Sequence, residues 1–552
     1  MKGSLQEAID RIKAVVGEAH VLTSPQEVER HSRDTSMWRR LCAAAITPGS
    51  AEEVAQVVRI ASEFELPVWP YSKGKNWGYG ATMGLQEGAL ILILERMNRI
   101  IEVNEELAYA VIEPGVTQKQ LNDHLKDRHP KLWADCTDST TEGSVIGNAL
   151  ERGVGYTPYW DHFGHLCGLE VVLASGEVVR TGAGPKNSLT WHTYKWGSGP
   201  YIEGLFSQSN FGIVTKAGIW LLPAPEGFSC FMCEIEEEGD LPAAVDAVRR
   251  LALNRVLQGN VHLVNDIMFM AQMMQYPYEL LDGRTYLSDE TRADLRKRLK
   301  IAPWTLSGGI YGTPEQVRVN RRLIKRELSR CGRVAFLNDR SFGILQRLVG
   351  IWKRHPNSPL LSPLLRALTG SSREKLEVVP HIYPILKGIP GDFIVGFAYF
   401  KSHGPRPTRD IDPARDGAGL IWLAVVSPLT GRHTGELVRL CEPVFHRHGL
   451  DWSCAFIMVN PRSILGLIEI FYDKTDPDEC ARAQALYDEL AAVTLQAGYP
   501  QYRTSIAYGE RLMEAAPEFQ RMMNAMKAAV DPNHIIAPGR YGIGLNTNSP
   551  KA

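Results

Sequence analysis

The chain has 552 residues, 44% hydrophobic and 22% charged, an ordinary composition for a globular protein. Its 61 Lys and Arg stand against 62 Asp and Glu, so no field of one sign points to nucleic acid or an acidic membrane as partner. No run of about 18 apolar residues occurs, so no helical membrane span is expected, and nine cysteines without the paired spacing of a zinc site predict reduced thiols and no metal site.

Leu5, Ile9, Ile12 and Val16 recur at helical spacing, which predicts an amphipathic first helix. That stretch lacks the apolar core of a signal peptide, and the expected location is cytoplasmic. AEEVAQVVRIASEFE predicts a second helix. LPVWPY, ALILIL, IIEVN and AYAVI read as short strands, and EPGVTQKQLNDHLKD as a turn and a helix. LEVVLASGEVVRTG reads as a hairpin, and FGIVTKAGIWLLPAPEG as a strand closed by prolines. Past residue 225, amphipathic helices are predicted at 240–260 and 285–300, in PEQVRVNRRLIKREL and in CARAQALYDELAAVTLQAG. DFIVGFAYF and GLIWLAVVS read as two strands. The polar insert between them, KSHGPRPTRDIDPARDGA, is longer than a hairpin connection and reads either as a solvated loop or as a lid. The alternation indicates an α+β or α/β fold.

The stretch YSKGKNWGYG (71–80) lies between two predicted strands and is neither a Walker loop nor a GxGxxG turn. Backbone amides in such a glycine-rich turn approach an anion closely, and Lys73 and Lys75 either add charge or face water. Three further glycine-rich or small-residue clusters accompany it. They are EGSVIGNALERGVGYTPYWDHFGH (142–165), GPYIEGLFSQSNFGIVTKAGIW (199–220), and the pair YPQYRTSI and DPNHIIAPGRYG near the C-terminus.

With these clusters in view, the chain resembles the flavoprotein oxidoreductases of the vanillyl-alcohol oxidase and p-cresol methylhydroxylase type. The resemblance runs from the first helix to Gly542. It is carried by GNALERGVGYTPYWDHFGHLCGLEVVLASGEVVRTG, KWGSGPYIEGLFSQSNFGIVTKAGIWLLPAP, YRTSI and AVDPNHIIAPGR. It implies an α+β fold with a two-part FAD-binding domain, 1–225 and 499–552. An α+β cap domain, 226–498, is implied over the isoalloxazine ring. By resemblance, Ser72, Lys73, Gly74, Lys75 and Asn76 hold the FAD pyrophosphate. Ser144, Val145, Gly147, Asn148, Ser207, Ser209, Asn210, Ile213 and Arg540 continue the FAD site.

Tyr79, Tyr502 and Arg503 match the family's clamp on the oxygen of a para-substituted phenol. A guanidinium and two hydroxyls lower the pKa of that phenol, and the phenolate drives hydride from the benzylic carbon to flavin N5, leaving a quinone methide. Tyr156 matches an active-site tyrosine, with a packed aromatic as the alternative. Asp138 is expected near flavin N5, with Ser139 or Glu142 as alternatives. Tyr399 in GFAYFK matches the tyrosine that some relatives join to FAD. A Tyr399 ether and a non-covalent FAD both stand open.

The sequence also departs from the family. No histidine stands at Leu420, where other relatives tether the flavin. Apolar Ala455 and Ile464-Leu465-Gly466 stand where relatives carry a carboxylate and cap-helix histidines, and Ile394 or Val395 replaces another carboxylate. These changes predict a larger, less polar pocket. The expected activity is oxidation of a para-substituted phenol, with oxidative decarboxylation of a phenolic acid as the alternative. A non-catalytic flavin-fold subunit is a second alternative, which the clamp residues oppose. O2 or a separate cytochrome c subunit would take the electrons, since the chain has no CxxCH, and a homodimer is expected.

Overall fold

The computed structural model describes residues 4–354 and 372–544. Ile9, Ile12 and Val16 bury one side of the helix Leu5–Val16, while Leu5 stays exposed. The Ser4 hydroxyl caps that helix by accepting from the Glu7 N–H. This helix and Ala51–Glu63 share a core with a four-stranded sheet, ordered Val21–Leu22, Cys42–Ile46, Ala89–Ile93, Val68–Tyr71. Every residue of Ala89–Ile93 is buried, as expected of a strand covered on both faces. A second, antiparallel sheet is ordered Ile100–Asn104, Tyr109–Ile112, Ile213–Trp220, Leu166–Val172, Val178–Arg180. It contains the predicted hairpin, closed where the Leu173 N–H donates to Glu177 and the Gly176 N–H to Leu173.

The end of the chain returns to this region. Val68 donates to the Ile535 carbonyl at 2.8 Å and accepts from the Ala537 N–H at 2.8 Å. Asn210 donates to the carbonyls of Ala537 and Ile543 at 3.0 and 2.9 Å. Lys527, fully buried on the helix Pro517–Val530, donates to the Asp531 carboxylate at 2.6 Å and to the Asn210 and Ile536 carbonyls. Chain ends more than 300 residues apart in sequence thus share one set of hydrogen bonds.

The central segment builds an eight-stranded antiparallel sheet. Its strands are β1 (Gly227–Ile235), β2 (Val261–Asn265), β3 (Trp304–Gly312), β4 (Arg333–Leu337), β5 (Gly419–Pro428), β6 (Cys454–Asn460), β7 (Ser463–Tyr472) and β8 (Gln501–Arg503). Their order is β4-β1-β3-β2-β6-β7-β5-β8. One face packs on the helices Leu241–Leu253, Pro314–Leu328, Gly431–Arg447 and Pro477–Gln496. The other face meets the helices Asp266–Met273 and Arg373–Ile385 across a cavity. Because side chains alternate along each strand, every second residue faces that cavity.

Two local expectations fail. DFIVGFAYF is not a strand, since Ile394–Tyr399 forms a 3-10 turn whose residues are all buried. An apolar run of this length does not distinguish a buried strand from a buried helical turn, and β5 already pairs with β7 and β8, leaving no edge for another strand. AFIMVNPRSILGLIEIFYD, where relatives were expected to place a helix, is the β6–β7 hairpin. The polar insert is anchored at its start, where the Arg406 guanidinium donates to the carbonyls of Ala271, Gln272 and Met274 at 2.7–3.1 Å.

Candidate active site

The glycine loop leaves the strand Val68–Tyr71 and lines a groove of about 280 Å³. Ser72, Lys73, Gly74, Lys75 and Asn76 all border it. The N–H groups of Lys73 to Asn76 donate to no acceptor among the described residues. Gly147, on the short helix Val145–Leu150 capped by Ser144, faces the loop so closely that a Cβ there would lie 3.0 Å from the Ser72 hydroxyl. Free amides between two close backbone segments suit a diphosphate, and the groove's size suits an extended nucleotide. The residues present therefore fit FAD.

Of the expected FAD residues, Ser72, Lys73, Gly74, Lys75, Asn76, Ser144, Gly147, Asn148, Ser209, Ile213 and Arg540 line this groove. Lys73 pairs with Glu95 at 3.4 Å and Lys75 with Asp412 at 2.9 Å, so both cations already have carboxylate partners. Val145, Ser207 and Asn210 do not border the groove. Val145 is buried in the core of the second sheet, Ser207 accepts from Arg152 Nε at 2.9 Å, and Asn210 clamps the chain's end. Tyr399 borders neither the groove nor the cap cavity, and its hydroxyl donates to Asp416 at 2.6 Å. An ether to FAD would require that hydroxyl to leave Asp416 and turn into the groove.

The end of the loop does a different job. Asp34 Oδ2 accepts from the N–H groups of Gly78 and Gly80, each at 2.9 Å. Both glycines have positive φ, +79° and +107°, which favours residues without a Cβ. Burial pushes the Asp34 carboxyl up to about 6. The turn so fixed aims Tyr79 at the junction between the groove and the cap cavity, since Tyr79 borders both.

Arg503 also borders both spaces, and Tyr502 borders the cavity. The Arg503 guanidinium lies 5.2 Å from the Tyr79 ring centre and 5.5 Å from that of Tyr502. Burial, followed by the nearby Tyr502, holds the Tyr79 hydroxyl protonated, well above its ordinary range. For Arg503, burial acts downward, but Tyr502 and then Tyr79 bring the net shift up. The three residues join the loop to the last strand of the cap sheet.

The cavity holds about 300 Å³. Asp138 lines it and accepts from the Tyr156 hydroxyl at 2.5 Å. Burial raises the Asp138 carboxyl and the Tyr156 hydroxyl. The Tyr156 ring stacks on His262 of β2 with centroids 4.0 Å apart. Burial pushes His262 down to about 4, so it is neutral at ordinary pH.

The wall opposite carries Ala455, one of the expected apolar replacements, and Leu467, while Ile464, Leu465 and Gly466 do not border the cavity, and the wall is not stripped of acids. Glu469 of β7 is fully buried and lines the cavity. It accepts from the Ser453 hydroxyl at 2.9 Å, and burial pushes it up to about 8. Asp34, Glu469 and His262 escaped the sequence reading. Glu469 left a faint signal as the one acid in an otherwise apolar β-like run.

Comparison with known proteins follows this geometry. The family described as FAD binding domain matches residues 42–182. The 1'-carboxy-chondrochloren decarboxylase of Chondromyces crocatus is 36% identical over 97% of this chain and 97% of its own. The flavoprotein subunit of 4-cresol dehydrogenase (hydroxylating) from Pseudomonas putida is 31% identical over 99% of this chain and 97% of its own. The crystal structure of p-cresol methylhydroxylase with substrate bound superposes with a TM-score of 0.85 at 30% identity, covering 100% of this chain and 99% of that one. Among the described residues, no helix is long and apolar enough to cross a membrane, and no group of three or more potential ligands could hold a metal ion. The chain belongs to the vanillyl-alcohol oxidase and p-cresol methylhydroxylase family of FAD-dependent oxidoreductases.

Proposed function

We propose that the protein oxidises a 4-substituted phenol at its benzylic carbon. The observation that carries this is the convergence of Tyr79, Tyr502 and Arg503 where the nucleotide groove opens into the cap cavity. FAD, when bound in the groove, supplies the two-electron acceptor. Arg503 holds a fixed positive charge, and the two tyrosines offer O–H donors to one oxygen in a dry site. They stabilise the phenolate, which pushes electron density through the ring to the para carbon. Loss of the benzylic hydrogen with its electron pair leaves a quinone methide. Asp138, with Tyr156, and Glu469 are the acid–base groups within the same cavity for adding water at the benzylic carbon.

A second reading rests on charge. Among the described residues, Lys75 and Arg503 are the cations bordering the cavity, and both sit at the groove end. A substrate carboxylate one carbon beyond the benzylic position would therefore lack a counter-charge. Its C–C bond electrons would flow into the quinone methide, releasing CO2 and leaving a vinylphenol. The decarboxylase name of the Chondromyces relative supports this outcome, and the hydroxylating name of the Pseudomonas relative supports the first. The latter is a flavoprotein subunit by name, which supports a separate electron-accepting subunit, of cytochrome c type by family resemblance. Release of hydrogen peroxide in air would point to O2 instead.

The test is anaerobic mixing of the yellow enzyme with 4-ethylphenol and with 3-(4-hydroxyphenyl)propanoic acid, followed by product analysis. Bleaching with an alcohol product supports the first reading, and bleaching with 4-vinylphenol and CO2 from the acid supports the second. No bleaching by either would sink both.

A further inference from the structure

The cavity is far longer than a small alkylphenol needs. Its wall is one face of the cap sheet from β8, which carries Tyr502, to β4 at the opposite edge. A phenol ring with its benzylic carbon spans roughly 7 Å, less than two strand spacings of about 4.8 Å. Seven such spacings separate the two edges, about 34 Å along the sheet. Trp422, Leu467, Val264, Ser307 and Met232, on β5, β7, β2, β3 and β1, keep partial exposure although their neighbours along the strands are buried, and β6 between β7 and β2 adds the buried Ala455 and Ile457 to the lining. Ala335 on β4 is exposed, so the far end of the wall opens at the sheet edge. Beyond Lys75 and the clamp at the groove end and the Asp138 and Glu469 carboxyls, the wall carries no charged side chain among the described residues, and Ser307 and Thr305 are hydroxyls set among apolar neighbours.

Resting on the phenol oxidation proposed above, we propose that the para substituent is a long, uncharged, mainly apolar chain. It runs from the clamp across the cap sheet toward the β4 edge. A volume of about 300 Å³ drawn out along that path is a tunnel about one chain wide, and a filled tunnel is where such a chain removes apolar surface from water.

The test compares 4-ethylphenol with linear 4-octylphenol in anaerobic flavin reduction, reading the concentration dependence of the bleaching rate. The octyl compound is expected to saturate at a concentration at least fiftyfold lower. Val264→Trp, which narrows the tunnel four strands from Tyr502, is expected to cost the octyl compound at least ten times more than the ethyl compound. If the variant does not fold, the wild-type ratio alone decides. Equal saturation by the two phenols, or an equal loss for both in the variant, would overturn the tunnel while phenol oxidation stands. Bleaching by neither phenol would overturn phenol oxidation and the tunnel with it.

Discussion

Arg503 donates from Nε and Nη2 to the backbone carbonyl of Glu151, at 2.8 and 2.6 Å, and from Nη1 to Asn76 at 3.4 Å. A carbonyl orients the guanidinium without neutralising it, so the charge remains available to an oxyanion. The Glu151 carboxylate is engaged elsewhere, pairing with Arg540 and accepting from the Tyr541 hydroxyl. One residue therefore ties β8 and the chain's end to the cluster that follows Gly147.

Arg503→Lys should keep the charge and lose the fork, because an ammonium is a point charge with no planar pair of donors. Flavin reduction by a 4-alkylphenol is expected to slow at least 100-fold while most of the FAD is retained. Stopped-flow absorbance measures the first and the flavin-to-protein absorbance ratio the second. A rate within threefold of wild type would remove Arg503 from the clamp.

Tyr79→Phe separates the two halves of the glycine loop. Ser72 to Asn76 border the groove alone or with the cavity, whereas Tyr79 presents a hydroxyl at the junction. The variant should bind FAD like wild type and reduce it about 100 to 1000 times more slowly, as removal of one oxyanion donor does elsewhere. Loss of FAD with an unchanged rate per bound flavin would show that Tyr79 serves the nucleotide instead.

Asp34 sets the loop and has a signed pH dependence. Its folded pKa is raised to about 6 from 3.8, through burial. The protonated form is the favoured one in the fold, so its contribution is complete below about pH 4 and is lost as pH rises through 6. The full effect is about 3 kcal/mol. Asp34→Asn keeps an acceptor for the two glycine N–H groups and should remove this decline in urea titrations between pH 4 and 7. Asp34→Ala leaves both amides unpaired and should cost about 2–4 kcal/mol.

Glu469 is raised to about 8 and is therefore mostly uncharged at neutral pH. Above pH 8 it becomes an anion close enough to act on Tyr79, against the growing charge of the phenolate. The value of kcat/KM should fall above pH 8, and Glu469→Gln should keep the profile flat to pH 9. An alkaline limb that persists in the variant would assign it to another group. Stability follows the same sign, falling between pH 4.5 and 8 in wild type and not in the variant.

Lys527 tests the joining of the chain's ends. It is fully buried with Asp531, and removing it strands a buried carboxylate. Lys527→Met is expected to cost about 3–5 kcal/mol, measured by denaturant unfolding. A cost below 1 kcal/mol would show that the closure does not depend on this pair.

The sequence made the glycine loop, the hairpin 169–182 and the predicted helices legible, because each lies in a continuous run with its own turn or periodic signal, whereas Tyr79, Tyr502 and Arg503 were reached only through the family resemblance. Asp34 was invisible because its partners lie 44 and 46 residues away, and nothing in HSRDTS marks an aspartate that holds a remote turn. His262 and Glu469 became site residues only when β2 and β7 took their places in one sheet. DFIVGFAYF misled because burial on every side looks alike in a strand and in a helical turn. Tyr399 illustrates the same limit: its position in the run was clear, but not the direction of its hydroxyl, which Asp416 sets.

The central claim is that the junction of groove and cavity stabilises a phenolate. The most direct measurement is the ionisation of bound 4-nitrophenol, whose phenolate absorbs in the visible and which has no benzylic carbon to react. Difference spectra across a pH series should show its pKa lowered by at least one on the wild-type protein, with most of that shift lost in Arg503→Lys and part of it in Tyr79→Phe. A bound pKa equal to or above the value in water, or a lowered one that both variants leave intact, would contradict the clamp.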